Sequence, residues 1–205
     1  ALETPQGDLS GPGAPERGSE SFPDTLASVR YGHSGFHLRL SGLLRRLEGQ
    51  SDTAFTGAGN FSGRIPLTFV AEHDNVSFQL QYGSALGRYY LPLNGAGLDA
   101  VVSDSGAILP TEATAGYVAV QHWWSERWRS TLVASAVQFE RPETVGGANL
   151  RASQSYVANL YFSPVDTATF GLDLVYATRE DQSGEQGDGL RVIFSARVDF
   201  WPRAH

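Results

Sequence analysis

No cysteine and no methionine occur in the 205 residues, and all 15 basic residues are arginine, so lysine is missing too. Lack of cysteine excludes a disulfide scaffold and a thiolate metal site, and it fits a chain that crosses an oxidising periplasm without mispairing. Lack of methionine, together with the lack of a signal peptide, leads us to expect a mature product or a fragment. Lack of lysine puts every fixed positive charge on a planar guanidinium able to grip a carboxylate at two points, or it reflects a GC-rich genome. No run of about 18 apolar residues occurs, which excludes a transmembrane helix but not a membrane barrel, whose strands alternate apolar and polar residues. The net charge of -7 offers no basic patch against phosphate repulsion, so nucleic acid is not an expected partner.

What is present reads as strands. Hydrophobic residues make up 41%, charged residues 18%, and there are 23 glycines, a profile of strands joined by Gly-rich turns. Residues 1–24 carry no periodicity and are rich in Pro and Gly, so an exposed loop or linker is expected there. Residues 25–200 alternate at period two, and residues 201–205 form a tail. The clearest segment is 188–200, where Leu190, Val192, Phe194, Ala196, Val198 and Phe200 oppose Arg191, Ser195, Arg197 and Asp199. In 35–46, Phe36, Leu38, Leu40 and Leu44 oppose His37, Arg39, Ser41 and Arg45. In 54–70, Phe55, Phe61, Ile65, Leu67 and Phe69 oppose Thr56, Asn60, Ser62, Arg64 and Thr68. Weaker alternation covers 25–32, 75–82, 114–124, 128–139, 153–163 and 167–178, which predicts nine strands in all. Most are longer than the roughly five or six residues of a soluble strand and suit a tilted bilayer crossing.

The connections alternate in length. Short turns at 33–34, 71–74, 125–127 and 164–165 interleave with longer polar loops at 48–53, 83–113, 140–152 and 179–187. Outer-membrane barrels sort their turns and loops in this way, and a soluble barrel has no reason to. The fold class expected is all-β: a transmembrane antiparallel β-barrel of which this chain is the C-terminal part. Such barrels usually have an even strand number with both termini periplasmic, so an odd number of strands is expected before Ala1. Nine strands alone would leave two unpaired edges, which hydrocarbon does not tolerate. Trp123, Trp124 and Trp128, Tyr161 and Phe162, and Phe200 and Trp201 gather at the short-turn ends, where interfacial aromatics are preferred. Packing in a β-sandwich core is the alternative account of these rings.

Several strings resemble the DcaP-like porins in order along the chain: SVRYGHSGFHLRLSGLLRRL (28–47), FQLQYGSALGRY (78–89), GYVAVQHWWSERWRSTL (116–132), YVANLYFSPVDTATFGLDLVYATRE (156–180) and DGLRVIFSARVDF (188–200). The resemblance covers about 25–200 and matches the C-terminal half of that family. It implies a sixteen-stranded, homotrimeric channel of the bacterial outer membrane for small anionic solutes, with dicarboxylates and aromatic carboxylates as the associated class. Two departures stand out. The family's chains end at the aromatic that matches Phe200, which signals barrel assembly, whereas here Trp201-Pro202-Arg203-Ala204-His205 follow. The N-terminal half of such a barrel is missing from this stretch.

Transport needs a polar lumen rather than reacting groups, so no catalytic residue, cofactor or metal is expected, and the partners are outer-membrane lipid and small anions. The period-two reading assigns Arg30, His37, Arg39, Arg45, Arg64, Gln79, Gln81, Asn159, Asp173, Arg191, Arg197 and Asp199 to the pore lining. Arg88 joins them from the 83–113 loop, which also carries Tyr89, Tyr90, Asp99 and Asp104. Two readings of the charges stand side by side: an arginine ladder for carboxylates, or mutual neutralisation of Arg191, Arg197, Asp199 and Asp173 across strands. The 83–113 loop either folds in as a constriction or caps the mouth, capping being expected for the half after Asn94.

Other motifs do not hold up. Acids spaced by glycine in 181–188 depart from EF-hand spacing, and a solvated loop is the simpler account. The glycines of 57–63 lie in a strand with no helix after them, so they do not form a nucleotide loop. Asn60-Phe-Ser and Asn75-Val-Ser are glycosylation signatures without meaning in a bacterial envelope, and there is no HExxH or GxSxG. Two other classes compete with the porin: a barrel enzyme of phospholipase or protease type, for which His122 with Ser130 or Ser135 is the only nearby material, and a soluble β-barrel binding module.

Overall fold

Period-two segments become sheet only when neighbours satisfy their backbone groups, and consecutive hairpins do this here. The computed structural model of the chain describes residues 1–4, 6–11, 14, 21–90, 96–141 and 149–200. In chain order the strands are β1 (Leu2–Glu3), β2 (Leu9–Ser10), β3 (Asp24–His33), β4 (Phe36–Glu48), β5 (Thr53–Pro66), β6 (Asn75–Ser84), β7 (Ala100–Val102), β8 (Ile108–Pro110), β9 (Glu112–Trp123), β10 (Trp128–Glu140), β11 (Leu150–Val165), β12 (Ala168–Asp181) and β13 (Gln186–Val198). A 10-stranded sheet runs β1-β3-β4-β5-β6-β9-β10-β11-β12-β13, and β2-β7-β8 form a second, small sheet. Every expected strand therefore has its counterpart, and each long strand is antiparallel to the next. The predicted tail 201–205, with Trp201, lies outside the described residues.

Directly paired residues share a face, so the register sorts every side chain. One face carries Val29, Leu40, Phe61, Leu80, Val118, Leu132, Leu160, Leu172 and Phe194, all strongly exposed. Leu40 is 63% and Phe194 72% exposed, and such a continuous apolar belt is far beyond what a soluble monomer presents to water. The opposite face is polar. Its buried apolar residues collect only where the chain folds back over it, in one cluster around Leu43, Leu86, Leu98 and Phe139 and another around Leu47, Ala100, Val102 and Ile108.

The turn between β3 and β4 shows how tightly the hairpins are made. Ser34 (φ 39°) and Gly35 (φ 84°) both adopt positive φ, the geometry whose twist matches that of a two-residue hairpin. One strand boundary differs from expectation. The alternation of 54–70 continues through Leu67 and Phe69, yet β5 stops at Pro66, opposite Asn75. The Leu67 amide bonds to the Asp74 carbonyl, and successive turns then close from Val70 and Ala71 to Leu67. The short connection is therefore 67–74, because β6 starts only at Asn75 and leaves the residues after Leu67 without a partner strand. Connections 49–52 and 182–185 are also shorter than expected, so the asymmetry between the two rims rests on 85–111 and 141–149.

Candidate functional site

The polar face presents the expected arginines in two environments, set by what covers them. Near the short-turn rim, Arg30 pairs directly with Arg39 across β3 and β4, and His37 with Arg64 across β4 and β5. Like charges placed directly opposite, as in Arg30 and Arg39, are unfavourable in a sheet, so packing alone does not favour that pair. Arg39 Nη2 donates to Ser28 Oγ at 3.0 Å. Among the described residues no carboxylate lies within ion-pair distance of Arg30, Arg39 or Arg64. Arg30, His37 and Arg64 share a recess of about 400 Å³ at this rim. Gln79, opposite Ser62, and Gln81, opposite Asn60, continue the polar surface along β6.

Further along the wall the charges are engaged. Asn159 accepts from the Thr131 amide at 2.7 Å, and Asp173, its cross-strand partner, accepts from the Tyr161 hydroxyl at 3.1 Å. Arg197 pairs with Asp199 two residues on, at 2.9 Å. Arg191 faces the same side opposite Val175. Arg197 and Asp199 thus neutralise each other along the chain rather than across strands, and Asp173 is held by a tyrosine instead. The register also brings in Arg129, which is absent from the lining expected on alternation. Its guanidinium lies 5.2 Å from the ring centroids of both Trp123 and Tyr161. Continuing the odd-numbered face of β10 back from Thr131 is the signal that finds it. Gly171 makes room for this group, since a Cβ there would collide with the Tyr161 ring.

Toward the long-loop rim, the described residues of 1–11 and 85–111 fold together over the polar face; we call them the strap. Arg45 lies at the centre of their polar contacts. Its guanidinium meets Asp24 at 3.1 Å and Asp99 at 2.8 Å, all three side chains having no exposed surface. It also donates to the carbonyls of Ala85 and of Gln6. Arg88 adds bonds to Asp24 (3.0 Å) and the Thr4 carbonyl (2.7 Å), and Tyr89 donates to Asp24 at 3.1 Å. Arg45 is therefore not an open lining charge, which corrects its expected placement, and Arg88 is largely committed as well. A buried cation must be paired, and the nearest carboxylates come from the strap and the start of β3. Asp24, expected in an exposed segment, is a central member of this cluster.

Burial drives the Asp99 carboxyl above its ordinary value despite Arg45 and two backbone donors, and burial pushes the Tyr90 hydroxyl up to about 12. The half of the loop after Asn94, expected to cap the mouth, packs Leu98, Ala100, Val102 and Ile108 onto Leu43 and Leu47 of the polar face. Asp52 fastens it from the next hairpin by accepting from the Ile108 amide at 2.9 Å. That bond, with one from the Thr53 amide, holds Asp52 below the usual carboxylate value of 3.8. A depressed carboxylate stabilises the fold above its unfolded value and loses that contribution as pH falls through its folded one. The protection factor of the Ile108 amide is thus expected to fall as pH drops below 3.8, and Asp52→Asn should abolish this dependence. Asp99 has the opposite sign, so it cannot supply the effect.

Two other constellations resolve locally. Asp181 Oδ1 accepts from the amides of Ser183 and Glu185 and from the Ser183 hydroxyl, which makes 181–185 a side-chain-capped hairpin rather than a cation loop. His122 Nδ1 lies 2.6 Å from Asp74 and opposite Ser130, so an acid, a base and a hydroxyl do meet at one level. The Ser130 hydroxyl, however, accepts from Trp124 Nε1 at 2.9 Å, and the Trp124 ring stands edge-on to His122 with centroids 4.3 Å apart. This is a hydrogen-bonded aromatic rim, continued by Trp128 stacked on Phe162.

By sequence the chain matches no family model and no curated protein. By structure it is similar to the outer membrane channel DcaP of Acinetobacter baumannii, with a TM-score of 0.79 at 16% identity over 95% of this chain. The match covers 56% of that channel, so the chain spans about half its length. The all-β, antiparallel fold expected from the sequence is thus the observed one.

Proposed function

We propose that this chain is the C-terminal part of an outer-membrane porin, a passive diffusion channel for small anionic solutes such as dicarboxylates or aromatic carboxylates, assembled as a homotrimer. The observation that carries the reading is the sorting of the two faces. An uninterrupted apolar belt suits lipid, and the opposite face holds three guanidiniums that no carboxylate among the described residues neutralises. The energetic sense is direct: arginine on the lipid side would cost about 2–4 kcal/mol at mid-membrane, whereas arginine lining water attracts anions. The likeness to a channel supports the same reading. So does β13, which pairs with β12 alone among the described residues and needs a further strand before it can lie in hydrocarbon. The long-loop rim would face outward and the short turns the periplasm.

Planar-bilayer recording of the intact parent protein tests this, with Arg39→Ala and Arg64→Ala as variants. Anion-selective steps that lose selectivity in both variants are expected. A folded, inserted barrel that carries no current would refute the proposal.

A further inference from the structure

Building on the channel reading, we infer that this wall separates its two tasks in space: the strap sets the size limit, and the open guanidiniums of Arg30, Arg39 and Arg64 set the charge preference. In a pore whose narrowest part also selects, the cations would stand free at the constriction. Here the reverse holds. Where the strap narrows the polar face, Arg45 and Arg88 are matched by Asp24 and Asp99, two cations against two anions. Arg141 donates to Ser10 Oγ and the Gly97 carbonyl, with Asp8 near enough to favour its charge. A constriction whose cations are spent on holding it together has little field left for a passing solute.

The free charges lie elsewhere. Arg39 and Arg45 are on the same face of β4, and at about 3.3 Å per residue they are about 20 Å apart along the strand. That exceeds the screening length of about 8 Å at physiological salt, so the strap's charges barely reach the Arg39 level. The deepest strap contacts are with Leu43, Ala58 and Val137. Below them Ser41, Asn60 and Gln81 form a neutral polar band before the level of Arg39 is reached. A solute passing inward would be sized first and sorted by charge afterwards. Arg45 is in this scheme a positioning residue, acting on the solute only through the strap.

The test compares two variant sets of the full-length protein in planar bilayers, using reversal potential in a KCl gradient and exclusion of graded polyethylene glycols. Arg39→Gln with Arg64→Gln should cut the chloride-to-potassium permeability ratio at least about threefold and leave the polymer cut-off in place. Arg45→Met and Arg88→Gln with Asp24→Asn and Asp99→Asn removes both cations and both anions of the cluster together. It should raise the cut-off and keep the permeability ratio within about twofold. Arg88→Gln alone, a milder change, should shift the cut-off in the same direction and keeps the test decisive if the quadruple variant fails to assemble. Loss of selectivity in the strap variants as large as in the arginine pair would overturn the inference while the channel reading stands. Wild-type barrels that insert and do not conduct would overturn both.

Discussion

Replacing Arg45 with methionine is expected to release the strap and to destabilise the protein by about 3–5 kcal/mol, the usual cost of removing one partner from a buried ion pair. The reason is what stays behind. Asp24 and Asp99 have no exposed side-chain surface, and both would be left buried beside each other without their shared cation. The carbonyls of Ala85 and Gln6 would lose a donor at the same time. Denaturant or thermal unfolding of the full-length protein in detergent measures the loss. Limited trypsin digestion localises it, because Arg88 is held by Asp24 and Thr4 in the intact strap and should become cleavable once the strap lifts. Adding Asp24→Asn and Asp99→Asn should recover much of the stability, since uncharged amides carry far less burial cost than unpaired carboxylates. Unchanged stability with Arg88 still protected would show that the apolar clusters alone hold the strap.

An arginine placed on the apolar belt should prevent assembly, while the same residue on the polar face should be tolerated. Leu172 lies mid-strand in β12, opposite Leu160 and Phe194, and is half exposed. If that exposure is to lipid, Leu172→Arg costs about 2–4 kcal/mol and slows or blocks insertion. Gln79→Arg, facing the other way opposite Ser62 and Tyr117, should insert normally and raise anion preference. Folding into lipid vesicles, read by heat-modifiable gel mobility of the full-length protein, separates the two. A water-facing belt, as in a soluble binding module, would make Leu172→Arg harmless, and that result would exclude the membrane assignment.

The strands and their faces are legible in the amino-acid sequence because facing is a local property in a sheet. Each residue's side follows from its parity within the strand, and a slip of one residue would turn every apolar side chain to the wrong side. Hence Arg30, Arg39, Arg64, Gln79, Gln81, Asn159, Asp173, Arg191 and Arg197 all fall on the polar face, as the alternation requires. Arg129 follows the same rule and is obscured only because its neighbours are large aromatics. The end of β5 is not legible in this way. Leu67 and Phe69 keep the alternation, and only the partner strand's late start at Asn75 stops the ladder.

What the alternation does not convey is which arginines remain free. Arg39 and Arg45 have the same parity, the same residue type and the same strand, yet one is exposed and the other has no exposed side-chain surface. The difference comes from Asp99 and the Gln6 carbonyl, which reach Arg45 from segments far away in the chain. Periodicity sets the direction in which a side chain leaves the backbone. Whether it then meets water, an anion or a covering loop depends on how distant segments with no periodicity of their own fold across that face, and only the tertiary structure decides it.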